Sequence, residues 1–143
     1  MKKAFTLIEI IIVIIIVGIL AALGISQYSI IVERGRITEA KTRLGTMRQL
    51  AQEYYLNNGT VTGITNADVG VVQACSSSSF FSYYVMQDCC NRVLLRADRC
   101  TSGGKPPVAS RPYVYYIEYF PANGYTDWRC QWSDNWSNCP ELL

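Results

Sequence analysis

Phe5-Thr6-Leu7-Ile8-Glu9 opens the stretch whose reading decides the fold of this chain. It follows a four-residue leader that carries Lys2 and Lys3, and it leads into an apolar run broken by one carboxylate. From Ile10 to Val32 no side chain is charged, and Ile10 to Ile25 is built from Ile, Val, Leu, Ala and Gly. About 20 such residues are enough to cross a bilayer as a helix. A lone Glu at the edge of the run is costly in lipid and calls for a partner.

A cleaved secretory signal offers another reading of the same residues. Lys2 and Lys3 would form its basic region, Ile10 to Leu23 its apolar region, and Ala22-Leu23-Gly24 its cleavage site. Three features oppose it. Glu9 stands where such a signal is most apolar, the basic region is very short, and helical periodicity continues far beyond Gly24.

Residues 5–57 read as one long helix. In its second half Ile37, Ala40, Leu44, Met47, Ala51 and Tyr54 step by three and four, which puts them on one stripe. Glu33, Arg34, Arg36, Glu39, Lys41, Arg43, Arg48 and Glu53 are assigned to the other face, with Glu39 and Arg43 spaced for a helical ion pair. Asn57-Asn58-Gly59 is a stop signal, because Asn and Gly tolerate the left-handed cap conformation. Gly24-Ile25-Ser26 is a candidate for local melting, since Gly with Ser is a source of kinks.

The remainder, 58–143, is a small head. Its expected strands are Tyr113 to Phe120, dense in aromatic and β-branched residues, and Tyr125 to Trp132, joined by a turn at Pro121-Ala122-Asn123-Gly124. Phe80 to Met86 reads as a strand or a short helix, and Val69-Gly70-Val71-Val72 as a short strand. The fold class is therefore α+β: a long N-terminal helix packed on a small antiparallel sheet.

All six cysteines, Cys75, Cys89, Cys90, Cys100, Cys130 and Cys139, lie in this head. An even count confined to one small segment points to three disulfides in an oxidising compartment. Zinc is disfavoured, because no Cys-x-x-Cys pair occurs and the chain has no His. Separate bridges from Cys89 and Cys90 to Cys75 and Cys100 are preferred to a strained vicinal bond. Cys130 and Cys139 could close a small C-terminal loop.

The lack of His excludes Ser-His-Asp and Cys-His nucleophilic sites. A thiol oxidoreductase built on Cys89-Cys90 is disfavoured without Cys-x-x-Cys. Without Lys2 and Lys3 the basic and acidic side chains balance, so no strong field for nucleic acid arises. Asp127, Asp134 and Asn135 lack the spacing of a calcium loop. Trp128, Trp132 and Trp136, with Tyr113, Tyr115, Tyr116, Tyr119 and Tyr125, are assigned mainly to the core, with a surface-binding patch as the alternative.

Ala4-Phe5-Thr6-Leu7-Ile8-Glu9, followed by Gly18-Ile19-Leu20-Ala21-Ala22 and Ile25-x-Gln27-Tyr28, closely resembles the class III signal of type IV pilins and pseudopilins. The resemblance is specific over residues 1–28 and weakens along the helix. It implies cleavage between Ala4 and Phe5 by a prepilin peptidase, N-methylation of Phe5, and use of Glu9 in assembly, paired with the Phe5 amine of a neighbouring subunit. Ala4 stands where the family usually has Gly, and Ser26 where many members have Pro. The resemblance also supports a Cys130–Cys139 bond bounding an exposed C-terminal loop.

The domain organisation it implies is a leader at 1–4, the helix at 5–57 with a membrane and assembly segment at 5–32, and a disulfide-stapled head at 58–143. The expected function is that of a structural subunit of a type IV pilus, not an enzyme, for adhesion, twitching motility or DNA uptake. Its expected partners are copies of itself and other pilins, the peptidase, an inner-membrane assembly platform and membrane lipid, with no cofactor, metal or sequence-specific nucleic acid. It would lie in the inner membrane as a precursor and then in a surface fibre. The alternatives are a pseudopilin of a type II secretion system and a membrane-anchored binding module that never polymerises.

Overall fold

The computed structural model describes residues 6–71, 74–88, 91–102, 111–134 and 137–139. A single helix, α1, runs from Leu7 to Asn58 over 52 residues, roughly 78 Å at 1.5 Å per residue. It is continuous through Gly24, Ile25 and Ser26, so the melt considered there is absent. The local cost of Gly, about 1 kcal/mol, does not break a helix flanked by residues that favour it on both sides. Gly59 ends it in the left-handed conformation (φ 70°), and its N–H donates to the Tyr55 carbonyl.

Four strands follow: β1 (Phe81–Asp88), β2 (Arg92–Arg99), β3 (Tyr113–Phe120) and β4 (Tyr125–Trp132). They form one antiparallel meander in the order β1-β2-β3-β4. Phe80 to Met86 resolves as strand, beginning at Phe81. Val69 to Val71 is turn and loop rather than strand, because Gly70 takes φ 65°. The strand β2 was not anticipated. Its buried residues Val93, Leu95, Ala97 and Arg99 alternate with more exposed ones, but only Val93 among them is β-branched, and the alternation is charged on both faces.

The α1 stripe Ile37, Ala40, Leu44, Met47 and Ala51 is fully buried. It packs on the sheet face formed by Phe81, Tyr83, Val93, Leu95, Ala97, Tyr113, Tyr115 and Ile117. Tyr54 is only partly buried beside this core. The segment between α1 and β1 adds Val61, Ile64, Val69 and Val71. It also covers the open edge of β1: the Val85 N–H donates to Asn66 Oδ1 at 2.8 Å, and the Gly63 N–H to Gln87 Oε1 at 2.8 Å. Occupied edge groups are no longer a template for another strand. On the other edge, Trp132 N–H donates to the Ser137 carbonyl and Cys139 N–H to that of Cys130.

Candidate assembly surface

Thr6 begins the helix as its N-cap. Glu9 Oε2 accepts from the Thr6 N–H at 2.8 Å and from the Thr6 hydroxyl at 2.7 Å, and the Glu9 N–H donates to Thr6 Oγ1 at 3.4 Å. This is a capping box, which satisfies donors that a helix start leaves open. The Oε1 atom of Glu9 has no partner among the described residues. The two processing residues, Ala4 and Phe5, lie outside the described residues, so the expected pairing partner of Glu9 does too.

Every large apolar side chain from Leu7 to Ile25 is exposed. Burying even one Leu or Ile is worth about 1.5–3 kcal/mol, so a bare face of this length cannot stand in water and must be covered. The stretch is long and apolar enough to cross a membrane.

The exposed half ends at Glu33, and there the sequence expectation needs correcting. Glu33 is not on the charged face: it is 1 % exposed. It lies four residues before Ile37 and so belongs to the buried stripe. Its Oε1 accepts from Arg99 Nε at 2.6 Å and from the Tyr113 hydroxyl at 2.7 Å, and its Oε2 accepts from Arg36 at 2.9 Å. Arg99 in turn donates to the Cys100 carbonyl at 2.6 Å and lies over the Phe80 and Phe81 rings. Burial pushes the Glu33 carboxyl up, but the bonds from Arg99 and Tyr113, the Arg99 charge and the Arg36 bond together hold it below the usual range. Burial and the same carboxylate push the Tyr113 hydroxyl well above the usual phenol range, so it stays a donor. The network ties α1 to β2 and β3. The spacing Glu33–Ile37–Ala40 was the signal that could have found it.

Two disulfides staple the head. Cys130 bonds Cys139, and Cys75 bonds Cys100 with their Cα atoms 5.8 Å apart. The second bond overturns the expected bridges from Cys75 and Cys100 to Cys89 and Cys90. Cys75 precedes β1 and Cys100 directly follows β2, and the β1–β2 pairing Phe81↔Arg99 brings those ends together. Cys89 and Cys90 belong to the connection at the far end of that hairpin and lie outside the described residues.

Tyr113, Tyr115, Tyr119 and Trp132 are buried in the core, whereas Tyr116 is buried outside it. Trp128 and Tyr125 are exposed at 39 % and 57 %, and Trp136 lies outside the described residues. Asp127 pairs with Arg129 and Asp134 with Arg111; Asn135 is not described. No cluster of three His, Cys, Asp or Glu side chains that could hold a metal occurs among the described residues. The expected ion pair between Glu39 and Arg43 is not formed: Glu39 turns to the Tyr83 hydroxyl, which donates to it at 3.4 Å.

Residues 1–25 match the prokaryotic N-terminal methylation motif. The chain is 40 % identical over 87 residues to a type IV major pilin protein, PilE, of Neisseria gonorrhoeae, a match covering 61 % of this chain and 50 % of that protein. It is 31 % identical over 130 residues to a fimbrial protein of Neisseria meningitidis serogroup B, covering 91 % of this chain and 73 % of that one. A second gonococcal type IV major pilin, PilE1, matches at 31 % over 130 residues, covering 91 % and 76 %. The last two matches take in nearly the whole of this chain and about three quarters of each relative: the chain belongs to the type IV pilin family.

Proposed function

We propose that this pilin subunit polymerises through α1 into a type IV pilus displayed at the cell surface, where it serves adhesion, twitching motility or DNA uptake. One observation carries the reading. Half of a single unbroken helix is bare and apolar while the other half is built into the head. Such a helix needs lipid before assembly and other helices after it. The family to which the chain belongs supports a structural rather than catalytic role.

In this reading a prepilin peptidase removes residues 1–4 at the Ala4-Phe5 bond, and Phe5 is N-methylated. Residues 5–32 then serve as membrane anchor and assembly segment, and 58–143 as the stapled head. An inner-membrane platform extracts the subunit, and Glu9 pairs with the Phe5 amine of a neighbour in the fibre. Intact mass spectrometry of fibres sheared from the cell surface tests the reading. A mass beginning at methylated Phe5 supports it. A chain found only in the membrane, with no filament, makes it a non-polymerising anchor.

A further inference from the structure

The open end of the β1–β2 hairpin grips α1 at two points. The paired residues of the two strands end there at Phe81↔Arg99, and one further rung follows, in which the Cys100 N–H donates to the Phe80 carbonyl at 2.9 Å. Arg99 Nη1 donates to the carbonyls of both residues of that rung, Phe80 at 3.3 Å and Cys100 at 2.6 Å, while Arg99 Nε reaches Glu33 of α1. The Phe80 ring is the second point: the guanidinium of Arg36, on α1, lies 4.5 Å from its centroid, and that of Arg99 5.2 Å.

This is an end that should open readily. Strand termini lie at the low-stability limit of local opening, and β1 is the first strand of the sheet, with β2 as its only strand neighbour. Opening here is costly in another way. The Arg99 side chain is removed from solvent, so a lost rung leaves a buried guanidinium without two of its acceptors, and an unsatisfied buried donor forfeits its full desolvation cost.

One covalent tie holds the rung. Cys100 bonds Cys75, 25 residues back along the chain. Cys100 is buried and Cys75 is the exposed member of the pair. The other disulfide joins Cys139 to Cys130 of β4, which lies two strands away from β2.

We infer that the Cys75–Cys100 disulfide is a redox-sensitive latch on the seat of α1. Oxidised, it fixes the Cys100 and Phe80 carbonyls, these hold the Arg99 guanidinium, and Arg99 holds Glu33. Reduction requires two molecules of a small thiol. The thiolate of the first attacks one sulfur and forms a mixed disulfide, the second displaces it, and the S–S bond becomes two cysteine thiols while the reductant leaves as its own disulfide. Two electrons and two protons pass to the protein. The hairpin end then frays, Arg99 loses its backbone acceptors, and the head loosens its hold on α1 where the bare half of the helix begins. The latch is independent of the polymerising role proposed above.

The test uses the full chain in detergent micelles at neutral pH. Nitrogen-15 NMR follows hydrogen exchange at the Arg99 Nε–H, with the backbone N–H of Ile117, in a strand paired on both sides, as the measure of global opening. C75S/C100S should speed exchange at Arg99 about ten-fold or more beyond any change at Ile117, and C130S/C139S should not. Coupling between two sites is reciprocal, so a second arm leaves every cysteine in place. In graded glutathione buffers, read by alkylation and peptide mass, E33Q should shift the Cys75–Cys100 equilibrium several-fold toward the dithiol and leave Cys130–Cys139 as it is in the parent. Where C75S/C100S does not fold, the E33Q arm decides alone. Exchange at Arg99 that rises only in step with Ile117, or two disulfides that shift together in E33Q, overturns the latch, because the bond is then a staple for the whole head. Exchange and equilibrium that do not move at all overturn it too, because the disulfide and the ion pair are then uncoupled.

Discussion

Glu33 Oε1 accepts a hydrogen bond from Arg99 Nε at 2.6 Å, both side chains being all but removed from solvent. The bond spans 66 residues of sequence and sits at the level where the bare half of α1 gives way to the head. A buried ion pair is weak evidence of net stability, but breaking one by removing a single partner is strongly destabilising. Its chief effect here is therefore on arrangement: with Arg36 and Tyr113 it fixes the rotation and height of the helix against the sheet.

The pH dependence follows from the direction of the Glu33 shift. Its carboxyl in the folded chain lies below its ordinary value, so the unfolded chain binds more protons in the acid range. The stability it contributes is complete above the unfolded value of about 4.3 and is lost as pH falls through the folded one. Glu33→Gln should lower stability at neutral pH by about 3 kcal/mol and flatten this acid slope. Denaturant unfolding in detergent at several acid pH values measures both. An unchanged slope would assign the acid response to other carboxylates.

The disulfides should make unequal contributions. Cys75–Cys100 closes a sequence separation of 25 and Cys130–Cys139 one of 9, which by loop entropy gives about 3.5 and about 2.5 kcal/mol. Replacing both members of a pair with Ser should rank the variants in that order by thermal unfolding. A non-reducing peptide map that joins Cys75 to Cys89 or Cys90 would refute the pairing itself. If three disulfides form within one chain, as the even cysteine count suggests, the third must join Cys89 to Cys90, and the intact mass shows it as a loss of six hydrogens rather than four.

Two glycines should respond in opposite directions to Ala. Gly70 has φ 65°, and a Cβ there would meet Leu50 Cδ1 at 3.3 Å. Leu50 is flexible enough to yield, but the left-handed backbone disfavours Ala by about 1–2 kcal/mol. Gly35 is helical, with nothing within 4 Å of an added Cβ, and Ala there should stabilise α1 by about 1 kcal/mol. Thermal unfolding of the two variants should move down and up respectively. A gain from Gly70→Ala would contradict the left-handed turn conformation at Gly70.

Much of this molecule is legible in its sequence because its strongest signals are periodic. The stripe from Ile37 to Ala51 repeats the helical spacing and its burial follows, and the strand at Tyr113 shows in its density of aromatic and β-branched residues. Glu33 is hard to place from its residue type alone. It has the spacing of the stripe, but a carboxylate enters a core only when cations and hydroxyls are waiting there, and Arg99 and Tyr113 come from strands distant in sequence. The Cys75–Cys100 bond was hidden for the same reason. It follows from the β1–β2 register, and β2 itself gives little β-propensity signal. The assembly surface is legible as a bare helix.

Ala4 concerns processing alone. It stands where the family usually has Gly, and a Cβ at the residue before the scissile bond restricts the backbone more than Gly does. Ala4→Gly should therefore speed cleavage by prepilin peptidase without altering the mature protein. Equal cleavage rates for the two precursors would show that the peptidase accepts either small residue.

The last prediction concerns Glu9. In the single chain its Oε2 caps the helix through Thr6, so Glu9→Ala removes a cap worth about 1 kcal/mol at the very end of α1. The head should be unaffected, because every core residue lies from Ile37 onward. Membrane insertion should be at least as good, since a carboxyl is removed from an otherwise apolar segment. Assembly should fail. In the proposed fibre the Phe5 amine of one subunit meets Glu9 of another, and an unpaired charge buried among apolar helices costs about 3–5 kcal/mol. The expected phenotype is a normal amount of processed chain in the membrane, with head disulfides intact, and few or no fibres in the sheared fraction. Glu9→Gln separates the two functions of the carboxylate. It keeps an acceptor for Thr6 but carries no charge for the amine. If capping is what matters, Glu9→Gln should restore fibres; if the ion pair is what matters, it should fail as Glu9→Ala does. The second outcome is expected, because the cap contributes much less than the buried charge costs.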